Sequence, residues 1–396
     1  MVYFPFRKSL LQERTSMKKN EVCANDRLSR IWLDVDLQAA ENNFKRIKSA
    51  VNPLKIKAVL KADAYGLGAL PIAERLCNAG VDGFCSATLE EAIELNRFGK
   101  PVQILGGLLD FELEEAVRHH FILGITGLEA AEKISREACR QNVTAEVHFK
   151  IDTGMGRLGI LADQAISVIK QVIKLPNLNC CGIYSHFPAA GNDPLSMEQA
   201  SKLLKIVEKL QKEGITIEKR HIANSDAVNM SPFAVTAPFT HVRTGINLHG
   251  GFSAEAEQNL ELKPVFTLKT RVVQVREMPA GYTIGYNRTC RLSKTTRVAT
   301  IAAGYADGLP LNLSNRGFVV IKQKLCPIIG RISMDYTTVR IDDFEPGEIQ
   351  AGEIVTLIGG SGSEQITVDD WAKIKGTHAY EILCSIGKRV KRFYIN

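Results

Sequence analysis

The chain has 396 residues, of which 45% are hydrophobic and 23% charged, which is typical of a globular protein with two domains. Its net charge of +7 is mild and its basic clusters, such as GKRVKRFYIN, are short, which predicts solvated faces and no nucleic-acid partner. The nine cysteines are scattered without CxxC or zinc spacing, which excludes a zinc site and predicts a reduced, cytoplasmic protein.

The first predicted segment is an N-terminal extension over residues 1–29, which we expect to be flexible. It has no apolar run long enough for a signal peptide, and no later stretch is long enough to span a membrane. Met17, which opens MKKNEV, is an alternative natural start. We therefore expect no membrane partner.

Residues 30–263 alternate between strand-like and helix-like segments. IWLDVDL is the first predicted strand, and later β-branched runs such as KIKAVLKA, VDGFCSA, PVQIL and FILGIT each precede an amphipathic helix. This alternation predicts a parallel sheet. So many strand–helix units within about 230 residues favour an α/β fold of the TIM-type (β/α)8 barrel class.

From residue 264 onward the pattern changes. VFTLKTRVVQVREM, TRVATIAAGY, GFVVIKQKLCPIIG and EIVTLIGG are β-type runs separated by Gly, Pro and Asp turns. We therefore predict a second, mostly-β domain over residues 264–396.

We look for functional residues where the barrel strands are predicted to end, because the active sites of this fold lie at the C-terminal ends of its strands. Lys61 ends an apolar strand, where burial would lower its pKa and free the amine for Schiff-base chemistry. The simpler alternative is a lysine that extends into solvent. Tyr65, Ser225 and the Gly245–Ile246 backbone could bind phosphate.

Charged residues complete this group. Arg157 and Arg243 are guanidinium forks that could bind a carboxylate or a ring acceptor, and His186 could lie against a ring. Each is more often structural when taken alone, but together with Lys61 they predict a site for pyridoxal 5′-phosphate (PLP). The glycine-rich segments TGMGRLG and IGGSGSEQ lack the acidic residue of a dinucleotide site and the GK[ST] of a P-loop.

A series of motifs then makes a resemblance specific. AVLKADAYGLG, KIDTGMGRLG, YSHF, HIANS, VRTGINLHG, GYADG, GRISMD and GTHAYEI resemble, in family order, the motifs of alanine racemases. The resemblance runs from about Arg30 to the C-terminus. It implies a PLP-dependent isomerase that interconverts L- and D-alanine and supplies D-alanine for peptidoglycan.

The resemblance also implies roles for single residues. Lys61 would hold PLP covalently and act as one of two opposing bases. Tyr305, in GYADG, would be the other base and would reach the site from the second subunit of a homodimer. Arg157 would bind the cofactor's phenolic oxygen and the substrate carboxylate. Arg243 would face the pyridine nitrogen, with His186 between it and Tyr305.

The remaining implied roles concern binding and support. Met334 of the partner subunit would offer its backbone to the substrate carboxylate, with Asp335 beside it. Lys150 matches a position that can be carbamylated and would orient Arg157. Arg331 would narrow the entrance. The residues implied for phosphate binding and its support are Tyr65, Ser225, Gly245, Ile246, Tyr380 and Asn224.

Three positions depart from the family pattern. His249, Ser333 and Asp63 stand where tyrosine, cysteine and asparagine are common, and they could adjust the pocket.

Three other functions are alternatives to an alanine racemase. A PLP-dependent decarboxylase is not supported, because this chain lacks the triple-glycine loop and the cysteine-aspartate motif of those enzymes. The β domain argues against a PLP carrier. A racemase for serine or larger amino acids stays open, because pocket width depends on the geometry of Tyr380 and Met334.

Overall fold

The structure, a computed structural model, describes residues 28–191, 193–252, 259–361 and 364–396. The predicted N-terminal extension lies outside these ranges except for its last two residues. Within the described ranges, no helix is both long enough and apolar enough to cross a bilayer.

The first two thirds of the chain alternate between strands and helices. In chain order the elements are β1 (Ile31–Asp36), α1 (Leu37–Val51), β2 (Lys55–Val59), α2 (Lys61–Gly66), α3 (Ala69–Asn78), β3 (Gly83–Ser86), α4 (Leu89–Asn96), β4 (Val102–Ile104), α5 (Leu113–Arg118), β5 (Leu123–Ile125), α6 (Leu128–Gln141), β6 (Ala145–Asp152), β7 (Ile160–Leu161), α7 (Ala165–Val172), β8 (Leu178–Tyr184), α8 (Pro194–Lys212), β9 (Lys219–His221), α9 (Ser225–Met230) and β10 (His241–Thr244).

Eight parallel strands of this series close into a barrel. Hydrogen-bonded ladders join β10, β2, β3 and β4 in one group and β5, β6, β8 and β9 in another. The groups meet at a parallel bridge between Gln103 and Ile122, and through the Thr240 N–H, which donates to the Arg220 carbonyl at 2.8 Å. The structure therefore confirms the predicted (β/α)8 barrel.

The helices around the barrel follow the expected 3.6-residue period. In α6 the buried residues are Ala131, Ile134, Ser135 and Ala138, which lie on one face of the helix. The helix α4 begins with a capping box, in which Thr88 and Glu91 satisfy each other's backbone N–H groups.

The rest of the chain is mostly β, as predicted. Its elements are β11 (Phe266–Met278), β12 (Thr283–Ile284), β13 (Cys290–Arg291), β14 (Thr296–Ile301), β15 (Phe318–Ile321), β16 (Lys324–Pro327), β17 (Thr337–Arg340), β18 (Ile354–Ser361), β19 (Glu364–Ile366), α10 (Val368–Lys375), α11 (Ala379–Cys384) and β20 (Lys391–Ile395). Short 3-10 helices include Ile246–His249 and Tyr305–Asp307.

The strand β1 lies in the sheet of this second region rather than in the barrel. It pairs antiparallel with β11 and parallel with β20, between the two. Our prediction of IWLDVDL as a barrel strand is therefore wrong. Alternation identified the strand, but it carries no information about which strand becomes its neighbour. The first barrel strand is β2, and one continuous cluster of buried apolar side chains joins both regions.

The barrel interior is unusually polar. Lys57, His148, His221 and Arg243 are all buried there, and the Lys57 ammonium donates to the Gln103 side chain at 2.8 Å. Barrel interiors are more often filled by branched apolar residues. Buried polar groups of this kind need satisfied hydrogen bonds.

Candidate active site

The predicted cofactor lysine lies at the mouth of the barrel. Lys61 follows β2 after a single residue, Leu60, and its side chain is only half-buried. The deeply buried lysines of the barrel are two others, Lys57 and Lys150. Burial lowers the pKa of Lys57 to about 8 and that of Lys150 to about 7.

The turn that follows the cofactor lysine is left-handed. Residues 62–65 have φ values of 52°, 52°, 52° and 57°. This region costs a residue with a side chain about 1–2 kcal/mol, so neighbouring contacts must hold the turn. The Glu91 carboxylate accepts from the Ala62 N–H at 2.6 Å, and Arg392 donates to the Gly66 carbonyl at 3.0 Å.

Hydroxyl and N–H groups converge around Gly245. The Ser225 hydroxyl accepts from the Gly245 N–H at 2.9 Å, and the Tyr65 hydroxyl lies where a Cβ at residue 245 would be. The Tyr380 hydroxyl hydrogen-bonds Ser225, and its ring meets that of Tyr65 edge-on at 5.6 Å. Ile246 is buried and begins the 3-10 helix beside this group. The structure thus brings the predicted phosphate-binding residues together.

Asn224 has a structural contact. Its side-chain oxygen accepts from the Ala227 N–H at 3.0 Å, which caps α9. This cap fixes Ser225, the first residue of the helix, in the group around Gly245.

Arg243 is buried inside the barrel at the end of β10. Its guanidinium donates to the Ser185 carbonyl at 2.6 Å, to the Ile222 carbonyl at 3.1 Å and to the His221 ring. We expected His186 as its neighbour toward Tyr305. Within the described residues, the histidine that hydrogen-bonds Arg243 is His221.

Several cationic side chains create a positive environment around His186 at the mouth. The pKa of Lys150 is lowered by burial and by the nearby charges of Arg243 and Arg157. The pKa of His186 falls to about 2 because of burial and the positive charges of Arg243, Lys150, Arg157 and Lys61. His186 is therefore neutral, while Arg157 is exposed on the loop after β6. Such a group of cations favours a bound anion.

The glycine-rich loop TGMGRLG does not offer its N–H groups to a ligand. The Asp152 carboxylate accepts from the N–H groups of Gly154 and Met155 at 2.9 Å and of Gly156 and Arg157 at 3.2 Å. These bonds hold the pKa of Asp152 below its usual value, although burial opposes the shift. A dinucleotide phosphate would compete with the chain's own carboxylate here.

The second set of predicted residues lies in the β region. The Tyr305 and Ala306 N–H groups donate to the carbonyls of Ser333 and Met334, both at 3.1 Å. The motifs GYADG and GRISMD are therefore packed together, and the side chains of Tyr305 and Met334 are exposed. Among the described residues no hydrogen bond joins the Tyr305 hydroxyl to Lys61 or His186. Arg331 is likewise exposed.

Arg389 connects these two motifs. Its guanidinium binds the Asp307 carboxylate at 2.7 and 3.0 Å and the Asp335 carboxylate at 2.8 Å. Asp307 is buried, and it also accepts from the Gly304 N–H at 2.9 Å. We had predicted the cluster GKRVKRFYIN to be a solvated face, but Arg389 and Arg392 within it make these internal contacts.

Arg389→Ala should destabilise the protein by about 1–3 kcal/mol, because it removes hydrogen bonds from the buried Asp307 carboxylate, while the exposure of Arg389 to solvent weakens the ion pair itself. Urea unfolding measures this loss, with Lys388→Ala as the control at the exposed neighbouring residue. An equal, small effect of both substitutions would show that the bond to Asp307 contributes little.

His249, one of the departures, is a buried imidazole without a partner. Its exposed fraction is 1%, and neither ring nitrogen has a hydrogen bond within the described residues. Its ring meets that of Tyr65 edge-on at 5.5 Å, and burial lowers its pKa to about 3. The tyrosine common in the family would place a hydroxyl at this position.

We expect His249→Phe to stabilise the fold by about 1 kcal/mol, because it removes an unsatisfied buried polar group. The matched control is His241→Phe, since His241 has a hydrogen bond to the Thr240 hydroxyl at 2.8 Å. That substitution should destabilise the protein. Stabilisation by both, measured by thermal unfolding, would contradict our reading of His249.

Taken together, the site is that of a barrel enzyme that binds a phosphate-bearing aromatic cofactor. Gly245 leaves the space beside the Tyr65 hydroxyl that a Cβ would fill, and the charges of Arg243, Lys150, Arg157 and Lys61 all act on His186 at the mouth. Both features fit a dianionic phosphate and a ring oxygen. PLP carries both, so the residues present fit that group.

Comparisons with known proteins agree with this class. The family model "Alanine racemase, N-terminal domain" matches residues 35–252, and "Alanine racemase, C-terminal domain" matches residues 265–394. An alanine racemase of Clostridium novyi is 38% identical over 372 residues, which are 92% of this chain and 95% of the relative. The chain belongs to the alanine racemase family.

Solved structures support the same assignment. An alanine racemase of Clostridium difficile 630 has a TM-score of 0.85 and 31% identity, and the match covers 93% of this chain and 96% of that one. A Bartonella henselae alanine racemase "with covalently bound pyridoxal phosphate" has a TM-score of 0.84 and 28% identity, with coverage of 93% and 100%. The barrel and β-domain architecture is therefore confirmed.

Proposed function

We propose that the protein interconverts L- and D-alanine with PLP, using Lys61 of one chain and Tyr305 of a second chain as opposing bases. The observation that carries the proposal is the placement of Lys61 at the same barrel mouth as the hydroxyl and N–H groups around Gly245. The family is an isomerase family, and PLP is its cofactor.

The cofactor supplies an electron-withdrawing ring that acidifies the Cα–H bond of the bound amino acid. Lys61 would hold PLP covalently. Tyr65, Ser225 and Tyr380, with the Gly245 and Ile246 backbone, would bind its phosphate. Arg243 would face its ring nitrogen, because a guanidinium can donate a hydrogen bond but cannot accept one.

Racemisation requires two bases, since a proton leaves one face of the α-carbon and another arrives on the opposite face. The Lys61 amine would serve one face and the Tyr305 phenol the other. His186 is neutral and could accept a hydrogen bond from Tyr305, and Arg243 lies nearby. Positive neighbours would favour the phenolate over the phenol.

The proposed homodimer explains why four of the predicted site residues lie in the β region: Tyr305, Arg331, Met334 and Asp335. Several large side chains of the β region are exposed: Tyr282, Tyr286, Tyr305, Met334 and Tyr336. Exposed aromatic residues of this number are typical of an interface. In the dimer, Tyr305 and Met334 of each chain would complete the other chain's site, with Asp335 beside Met334.

Lys150 is proposed to be carbamylated. The reaction with CO2 needs the neutral amine, and burial with the charges of Arg243 and Arg157 lowers its pKa to about 7. The resulting carboxylate would reverse the charge of Lys150 and bind Arg157. Arg157 would then be oriented toward the substrate carboxylate and the cofactor's phenolic oxygen.

Alanine is the proposed substrate, and Tyr380 and Met334 are proposed to limit the side chain that fits. A Bacillus anthracis alanine racemase, 31% identical with a TM-score of 0.84, was solved "with bound L-Ala-P". Arg331 would narrow the entrance. D-Alanine for peptidoglycan and a cytoplasmic location complete the proposal.

The test combines a visible spectrum with a racemisation assay. We expect an absorption band that borohydride removes, and loss of optical activity fastest with L-alanine, with deuterium entering at the α-carbon in deuterium oxide. Faster loss of optical activity with L-serine or L-lysine would show that this amino acid, and not alanine, is the preferred substrate. A band without any loss of optical activity would overturn the proposed reaction.

A further inference from the structure

A chain of buried hydrogen bonds runs from Arg243 away from the barrel mouth. Arg243 contacts Nδ1 of His221, Nε2 of His221 lies 3.1 Å from Nδ1 of His148, and Nε2 of His148 lies 3.2 Å from the Glu146 carboxylate. Both rings have an exposed fraction of 0%. Lys219 binds the same carboxylate at 2.6 Å. We call Glu146, His148 and His221 the histidine relay.

The arginine fixes every proton in this relay. A guanidinium only donates, so Nδ1 of His221 must accept and its proton must be on Nε2. That proton points at Nδ1 of His148, which must then accept as well. The remaining proton of His148 is therefore on Nε2 and points at Glu146, a carboxylate that can only accept while ionised. The two ends permit one arrangement of protons.

The surrounding packing leaves little freedom to either ring. A Cβ at residue 182 would overlap the His148 ring, so Gly182 provides the space that the ring occupies. Tyr184 stacks on His221 with ring centres 5.0 Å apart and planes 7° apart. The guanidinium of Arg243 lies 5.4 Å from the centre of the same tyrosine ring.

We propose that Glu146 and His148 are positioning residues, which hold His221 in one tautomer and thereby orient Arg243 toward the cofactor ring. Burial keeps both imidazoles neutral: it lowers the pKa of His148 to about 4 and that of His221 well below its usual value. The Glu146 carboxylate stays ionised, since its pKa falls to about 2 through His148 and Lys219 against the effect of burial. The orienting role rests on the proposed function, whereas the proton arrangement does not.

A metal ion is the competing explanation for these side chains. One ligand atom each from Glu146, His148 and Cys181 lies within 4.8 Å of the others, which is metal-site spacing. A metal would need the lone pair of His148 Nε2, the atom that carries the proton in the relay. It would also need the carboxylate that Lys219 occupies. The contacts therefore favour the relay.

Neutron crystallography of the deuterated holoenzyme tests the proton arrangement directly. We expect deuterium on Nε2 of both His148 and His221 and none on either Nδ1. Deuterium on either Nδ1, or a metal ion between Glu146 and His148, would overturn the relay. Crystals soaked in zinc chloride should show no zinc at this position, and an anomalous zinc peak there would favour the metal site.

Substitutions test the orienting role. His148→Gln keeps an acceptor for His221 and a donor for Glu146, so its kcat should stay within about 3-fold of the wild type, whereas His148→Leu should lower kcat about 10-fold at similar KM. His241→Gln is the control, since His241 is a buried histidine of the same barrel whose ring centre lies 6.0 Å from that of His221. Equal losses in His148→Gln and His148→Leu would refute the role.

Two outcomes separate this inference from the proposed function. A wild-type protein without racemase activity would refute the function and leave the neutron result to decide the relay. If His148→Leu does not fold, the comparison of His148→Gln with the wild type still decides, because loss of 10-fold or more in that variant would contradict the role.

Discussion

A mixed dimer of Lys61→Ala and Tyr305→Phe chains should recover racemase activity that neither variant has alone. Each substitution removes one of the two proposed bases, so each homodimer should lose about 1,000-fold or more in kcat. If each site combines Lys61 of one chain with Tyr305 of the other, the mixed dimer contains one intact site and one site lacking both bases. The isolated mixed dimer should then have about half of the wild-type activity.

The mixed dimer can be isolated by co-expressing the two variants with different affinity tags. The control is a mixed dimer of Lys61→Ala and Lys61→Arg chains, in which both sites lack the lysine, so it should stay inactive. If each chain forms a complete site by itself, the Lys61→Ala and Tyr305→Phe mixture will also stay inactive. That result would refute the shared site and retain the rest of the proposed function.

A steep loss of stability below pH 6.5 is the second large expected effect. Five buried or partly buried histidines have lowered pKa values: about 4 for His148, about 2 for His186, about 3 for His241 and for His249, and well below the usual value for His221. Burial is the first cause in each case. The unfolded chain binds these protons from about pH 6.5 downward, while the folded chain stays neutral.

The free energy of unfolding should therefore rise with pH between about 4 and 6.5 and fall as the solution is acidified. Each proton that only the unfolded chain binds contributes about 1.4 kcal/mol per pH unit, so the slope near pH 5 should be several kcal/mol per unit. Urea unfolding at pH 7.0, 6.0 and 5.0 measures it. His249→Phe should reduce the slope by about one proton, while His120→Asn at an exposed position serves as control. A slope of the free energy of unfolding below about 1.4 kcal/mol per pH unit, the value for one proton, would refute the prediction.

The predicted site residues differ in how well local sequence could place them. The residues Lys61, Ser225, Arg243 and Gly245 follow or end apolar runs, and the barrel rule brings such strand ends together. For that reason their proximity could be predicted from alternation alone. Their individual roles come from the resemblance of the motifs, because alternation carries no information about which atom a side chain binds.

Two residues near the site were missed for different reasons. His221 lies within HIANS, and its interior position follows only from the register of β9 against its neighbours. The available signal was that His221 ends the strand that leads into the predicted site residues Asn224 and Ser225. Arg389 was assigned to a solvated cluster because its partner, Asp307, is 82 residues away in sequence. Local charge patterns do not reveal such long-range pairs.

The position of β1 was also beyond local sequence analysis. Its residues are buried almost without interruption, as expected for a strand with neighbours on both sides, yet the pattern fits a barrel strand equally well. Only the pairing with β11 and β20 distinguishes the two. A strand's location depends on contacts with segments more than 230 residues away.

That pairing has a consequence for synthesis on the ribosome. The strand β1 emerges early, but its two neighbours begin at Phe266 and Lys391, so one of its edges stays unpaired until β11 is made and the other until translation is almost finished. The barrel can close before that point, because all eight of its strands precede residue 245. A nascent chain would thus carry a formed barrel with an unpaired strand at its front, and the β sheet would be completed only after the segment Lys391–Ile395 has left the exit tunnel.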